Sequence, residues 1–331
     1  MIIKEPFGKM PDGRAVEAYT LKNKNGMAVK VLSLGATLVS IDVPDKAGNM
    51  RDVILGYDTV EGFLEGGNHL GGTIGRVANR IEKGRFTLDG KQYQVTVNDG
   101  EHSLHGGSGI DFKLWEVKED GADALLMTYL SPDGEDGYPG NMTIQLRLSL
   151  DDDNALKFEY AATADQPTLC NLTNHAYFNL NGLRRDVLDH EMWLNSDTYT
   201  VTTDALIPIE DVPVEGTEYD FRKPRKLKKA MYDTNFFLLG GEGAQATVYD
   251  PESGIFMELF TDAPALQIYN SVMLPEQADK GGKRHGVGDG LCLETQLPPN
   301  APNRESCKKY PFILRPGETW KSWTIYRFSV K

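Results

Sequence analysis

Residues 171–180 read NLTNHAYFNL and place His175 in a stretch without a formal charge. Written as a strand, alternate side chains fall on opposite faces. Leu172, Asn174, Ala176, Phe178 and Leu180 take one face; Asn171, Thr173, His175, Tyr177 and Asn179 take the other. A polar face lacking Lys, Arg, Asp and Glu suits a neutral ligand rich in hydroxyls, with His175 as its proton carrier near neutral pH. Residues 290–298, GLCLETQLP, set Glu294 on a strand face with Cys292 and Gln296, opposite a row of leucines. Partial desolvation raises a carboxyl pKa, which suits a general base. The competing reading is an edge-strand glutamate in water or in an ion pair.

Three further segments carry reactive side chains. EHSLHGG (101–107) offers His102 and His105 before two glycines that permit close backbone approach. With His175 as a third donor this spacing raises the question of zinc, against the simpler reading of hydrogen-bonding histidines. GRVANRI (75–81) supplies Asn79 and Arg80, a pairing able to fork hydrogen bonds onto vicinal hydroxyls, and Arg76, read as a structural tie between loops. MYDTNFF (231–237) puts Asp233 ahead of an apolar run, where it grips a ligand hydroxyl or caps a turn. Phosphate-cradling GxxxxGK[ST] and GxGxxG patterns and a GxSxG elbow are missing. Histidines and carboxylates without a cofactor motif point to proton transfer, and the uncharged lining points to a sugar.

These groups need a scaffold, and the periodicity supplies strands. Residues 142–150, 155–163 and 323–330 alternate as half-buried strands do. Residues 85–95 form a hairpin about Asp89–Gly90, and 246–261 repeat the pattern with a longer connection. Helical stretches are scarce. The expected fold is all-β: one large antiparallel β-sandwich domain over residues 1–331. A net charge of −13 opposes binding to nucleic acid or anionic membranes. The basic run 221–233 lacks interleaved aromatics and reads as a solvated loop. Three cysteines without CxxC spacing argue against a disulfide framework. No signal peptide or membrane span is expected, and the cytoplasm is the expected location.

GRVANRI, SLHGG, DGYPG, NLTNHAYFNL, DFRKP, YDTNF and LETQ occur in that order. The set resembles the aldose 1-epimerase (galactose mutarotase) family over about residues 8 to 327. The resemblance implies a β-sandwich with an open sugar cleft, and interconversion of the anomers of a free hexose without cofactor or metal. Its partner is then a small free aldose, with the protein a monomer or homodimer. By motif position, His175 is implied as general acid and Glu294 as general base. His105 is implied as a ring-oxygen partner, and Asn79, Arg80, Tyr177, Asp233 and Gln267 as substrate-binding residues. His102 stands where the family does not insist on histidine. A donating His175 must be charged, so neighbouring carboxylates are expected to hold its pKa up.

Three segments depart from the family pattern: the lysine-rich stretch after DFRKP, YNSVML after Gln267, and residues 297–313. All three are expected to border the cleft and to bear on sugar preference. A non-catalytic sugar-binding sandwich, an epimerase of phosphorylated hexoses using the basic run, and a glycosidase pairing Glu294 with Asp233 are the alternative functions.

Overall fold

Alternating burial builds the largest sheet. Met142–Leu150 buries every second residue, and Ala155–Ala164 does so over most of its length. The computed structural model describes residues 1–228, 232–278 and 280–331. In it these strands belong to a nine-stranded sheet with Trp320–Val330 at its centre, paired to Ala155–Ala164 on one side and Ile255–Thr261 on the other. The hairpin Arg85–Leu88/Lys91–Gln94 forms as expected, with positive φ at both Asp89 and Gly90.

A second sheet orders six strands as Tyr177–Phe178, Leu291–Gln296, Ala265–Tyr269, Asp233–Leu238, Ser196–Thr202 and Pro208–Pro213. A five-stranded meander from Ile2–Lys9 to Met50–Asp52 adds the third. Pairings in all three sheets are antiparallel. Among the described residues, no helix is long and apolar enough to cross a membrane. The architecture is the all-β antiparallel sandwich.

The central strands of the six-stranded sheet are covered on both faces. Leu291, Leu293, Leu266, Ile268 and Phe236 join Leu146, Phe158, Tyr326 and Phe328 of the nine-stranded sheet in one apolar cluster. Glu294 points the other way. It stands opposite Gln267, which in turn stands opposite Asn235, so three polar side chains share a row across three strands. A second apolar cluster, including Val16, Leu32 and Val39 of the meander with Tyr177, Tyr269 and Cys292, backs that region.

Residues 171–180 correct the sequence reading. They are buried throughout but do not form one strand. Thr173–Asn174 pairs with Thr73–Ile74, and Tyr177–Phe178 pairs with Leu291–Gln296. The break comes from Asn174, whose side-chain oxygen accepts the Ala176 N–H while its amide donates to the Gly71 carbonyl. An Asx turn of this kind competes with ladder hydrogen bonds. His175 therefore sits at the junction of two pairings. Asn171 and Asn179, expected to line a ligand, instead hydrogen-bond the backbone of residues 78, 297, 185 and 289.

Candidate active site

The backbone of His175 is fixed on both sides. Its N–H donates to the Gly72 carbonyl and its carbonyl accepts from the Gly71 N–H, both at 2.9 Å. Gly71 has φ +70°, and a Cβ there would lie 2.2 Å from the Leu38 carbonyl oxygen, so a side chain is excluded. The imidazole stacks on Tyr177 with centroids 5.0 Å apart. Its Nε2 lies 3.6 Å from Glu294 Oε1, and its Nδ1 lies 3.4 Å from the thiol of Cys292.

A cavity of about 160 Å³ opens over this pair, lined by Asn79, Arg80, His105, His175, Tyr177, Asp233 and Glu294 among others. Pockets for drug-sized ligands measure roughly 300–1,000 Å³, so this space suits a smaller guest. Seven of the eight site residues expected from sequence share it. Gln267 does not line it; its amide donates to Asp233 at 2.6 Å and orients that carboxylate. Tyr177 spends its hydroxyl proton on the Asn68 carbonyl, 2.9 Å away. Arg80 is paired with Asp99 at 2.7 Å.

His105 has φ +51° and Asn79 φ +63°, both in the sparsely populated left-handed region. They hold each other there: His105 N–H donates to the Asn79 carbonyl, and Asn79 N–H donates to His105 Nδ1 at 3.3 Å. With Nδ1 accepting, the neutral ring carries its proton on Nε2. Non-glycine residues held in such conformations concentrate at ligand clamps.

Electrostatics correct one expectation. Burial pushes His175 down to about 3, helped by the nearby His69, so no carboxylate holds its imidazolium up. Burial, then the Asp233 carboxylate, pushes Glu294 well above the usual carboxylate range, with Arg80 opposing. His105 is driven well below the ordinary histidine value by burial and by the neighbouring His69, His175 and Arg80. Burial raises Asp233, with Arg80 and Gln267 pulling the other way. Among the described residues Glu294 Oε2 is buried without a hydrogen-bond partner, the arrangement that most penalises a charge.

His105, His175 and Glu294 offer ligand atoms within 4.8 Å of one another, a donor set zinc accepts. The hydrogen bonding does not fit that use. A metal-ligating histidine ordinarily donates its second ring N–H to an acceptor, whereas His105 Nδ1 accepts an N–H.

Sequence reasoning missed His69, Asn68, Tyr269 and Met273, which also line the cavity. His69 has φ +55° and lies between two glycine pairs, the setting that drew attention to His105. Of the three divergent segments, only YNSVML reaches the cavity wall among the described residues, through Tyr269 and Met273. The described basic residues of the 221–233 run do not line it. Arg222 pairs with Asp220 and Lys226 with Asp189, while Lys229 lies outside the described residues. Arg76 donates to Ser131 and to the Pro132 and Pro139 carbonyls, the loop-tying role read for it above. His102 accepts from the Lys83 N–H outside the cavity.

Residues 17–327 match the family described as aldose 1-epimerase. The chain is 39% identical to galactose mutarotase of Rattus norvegicus and 34% identical to aldose 1-epimerase of Escherichia coli K12, each match covering 99% of both chains. Among solved structures it is similar to an aldose epimerase homologue from C. elegans, with a TM-score of 0.89 and 31% identity over 94% of this chain and 98% of that one. It is also similar to galactose 1-epimerase from Lactobacillus acidophilus, with a TM-score of 0.86 and 29% identity over 100% of this chain and 99% of that one.

Proposed function

This chain belongs to the aldose 1-epimerase family, and from that premise we propose that it interconverts the α and β anomers of free hexoses such as glucose and galactose between His175 and Glu294. The observation that carries the assignment of roles is their placement: two proton-transfer groups 3.6 Å apart in one sugar-sized cavity. At that separation both reach the two oxygens on a single anomeric carbon.

Glu294 takes the proton of the anomeric hydroxyl while His175 Nε2 gives one to the ring oxygen. The C1–O5 bond breaks, leaving an aldehyde and a free O5 hydroxyl. One proton has then passed from imidazole to carboxylate through the sugar. The aldehyde turns about C1–C2, and closure on its other face runs the same transfers in reverse. Imidazolium with carboxylate before opening, and imidazole with carboxyl after it, contain the same number of protons. Burial favours the second state, in which neither group is charged. The pair therefore rests mainly neutral, and the imidazolium–carboxylate form that starts opening is its minor tautomer, reached by passing the same proton from Glu294 to His175.

His105 Nε2–H, Asn79, Arg80 and Asp233 hold hydroxyls in this reading, with Arg80 countering charge on the sugar oxygens. Gln267 acts by orienting Asp233. We further propose a single domain over residues 1–331, supported by one apolar cluster that draws on Tyr19 and Phe328 alike. A cytoplasmic location is supported by three buried, unbridged cysteines.

Polarimetry of freshly dissolved α-glucose or α-galactose tests the activity. A rate no faster than buffer alone leaves only a sugar-binding module. No metal takes part in this mechanism, so saturating chelator should leave the accelerated rate unchanged; loss of activity restored by zinc would assign the His105–His175–Glu294 trio to an ion instead. The active state holds one proton on the pair. A second is added only at low pH, because burial holds His175 down, and the last is lost late, because burial holds Glu294 up. The profile of kcat/KM against pH should therefore be a bell with its acid limb near pH 3 and its alkaline limb well above the ordinary carboxylate range, the limbs belonging to the pair and not to either residue. A sharp maximum at the ordinary histidine pKa would contradict this.

A further inference from the structure

The three imidazoles in the cavity wall differ in how they are held. His105 Nδ1 accepts a backbone N–H and His175 Nδ1 faces a thiol. His69 Nδ1 lies 2.7 Å from Asp111 Oδ2, and that carboxylate is almost wholly buried. The His69 ring is 5.0 Å from His105 and 6.1 Å from His175, centroid to centroid, with Phe112 against it at 5.5 Å. Its Nδ1 is committed to Asp111, so Nε2 is the polar edge it presents where it lines the cavity.

We infer that His69, held by Asp111, is a further substrate-binding residue of this enzyme, donating through Nε2 to a sugar hydroxyl that takes no part in the reaction. The inference rests on the aldose reading of the cavity. A carboxylate behind an imidazole fixes its orientation and stabilises its protonated form. Burial works against protonation here, but the charge and hydrogen bond of Asp111 outweigh it and raise His69, while His105 and His175 are lowered. His69 is thus the imidazole of the three best able to offer a charge-assisted hydrogen bond, which is stronger than a neutral one. It also explains the backbone: a left-handed φ of +55° at a non-glycine residue is retained where surrounding contacts enforce it.

The test compares the unsubstituted enzyme with His69→Phe and His69→Gln on glucose and on a set of monodeoxy glucoses, each lacking one hydroxyl. Loss of one charge-assisted hydrogen bond should raise KM for glucose about ten- to a hundredfold in His69→Phe, with kcat changed much less. Glutamine, which retains an N–H donor, should recover part of that loss. For one deoxy sugar the wild type and His69→Phe should have the same KM, identifying the hydroxyl concerned. Equal penalties on every sugar, or a fall in kcat at constant KM, would overturn the inference. Nitrogen NMR of the unsubstituted protein gives an answer that needs no variant: the His69 Nε2 resonance must shift on adding glucose, and a resonance that stays put refutes the contact. Failure of the unsubstituted enzyme to accelerate mutarotation would instead refute the aldose reading itself.

Discussion

Glu294→Gln should lower kcat by about a hundred- to ten-thousandfold, the span general acid–base groups contribute, while sugar binding persists. The amide matches the carboxylate in shape and still hydrogen-bonds hydroxyls, but it cannot accept the anomeric proton. The fold should tolerate the change. Glu294 is 2% exposed and Oε2 has no partner among the described residues, so an amide replaces a group whose ionised form is penalised by burial. A protein that melts at or above the wild-type temperature, binds glucose by calorimetry and fails in polarimetry is the expected result. Near-normal turnover would mean that another group takes the proton, and the assignment of Glu294 would fall.

His175→Asn should cost a comparable factor in kcat, for the complementary reason. Asparagine keeps a hydrogen-bond donor near the ring oxygen but cannot cycle a proton at the pH of the reaction. The loss of stacking on Tyr177 is the main structural cost, and KM should report it modestly. Combining the two substitutions is the stricter measurement. Opening moves one proton from His175 to Glu294, so the pair works as a unit, and the double variant should be little worse than the poorer single one. Multiplying losses would show that the two groups act on separate steps.

Much of the site was legible because the chemistry shows in local sequence. Glu294 faces the cavity and Leu291 and Leu293 face the core, as strand alternation required. His175 could be singled out, yet its surroundings could not be derived. The straight strand drawn through residues 171–180 is broken by the Asn174 turn, a competition between side chain and ladder that composition does not reveal. The direction of the His175 shift also escaped, because burial on that scale arises only when the sheets close together. His69 was invisible for another reason: the carboxylate that gives it character lies 42 residues further along the chain. Gln267 was expected to reach the substrate, but its side chain donates to Asp233 and does not line the cavity.

The row of Glu294, Gln267 and Asn235 belongs to a sheet whose reverse side is locked into the apolar interior. Side chains mounted this way have little freedom to drift as the surroundings diversify. The rim is different: Gly67, Asn68 and His69 on one segment and Met273 on another come from connecting stretches, which tolerate replacement far better than paired strands. Sequence change is therefore expected to accumulate in these connecting stretches before it reaches the paired strands beneath them.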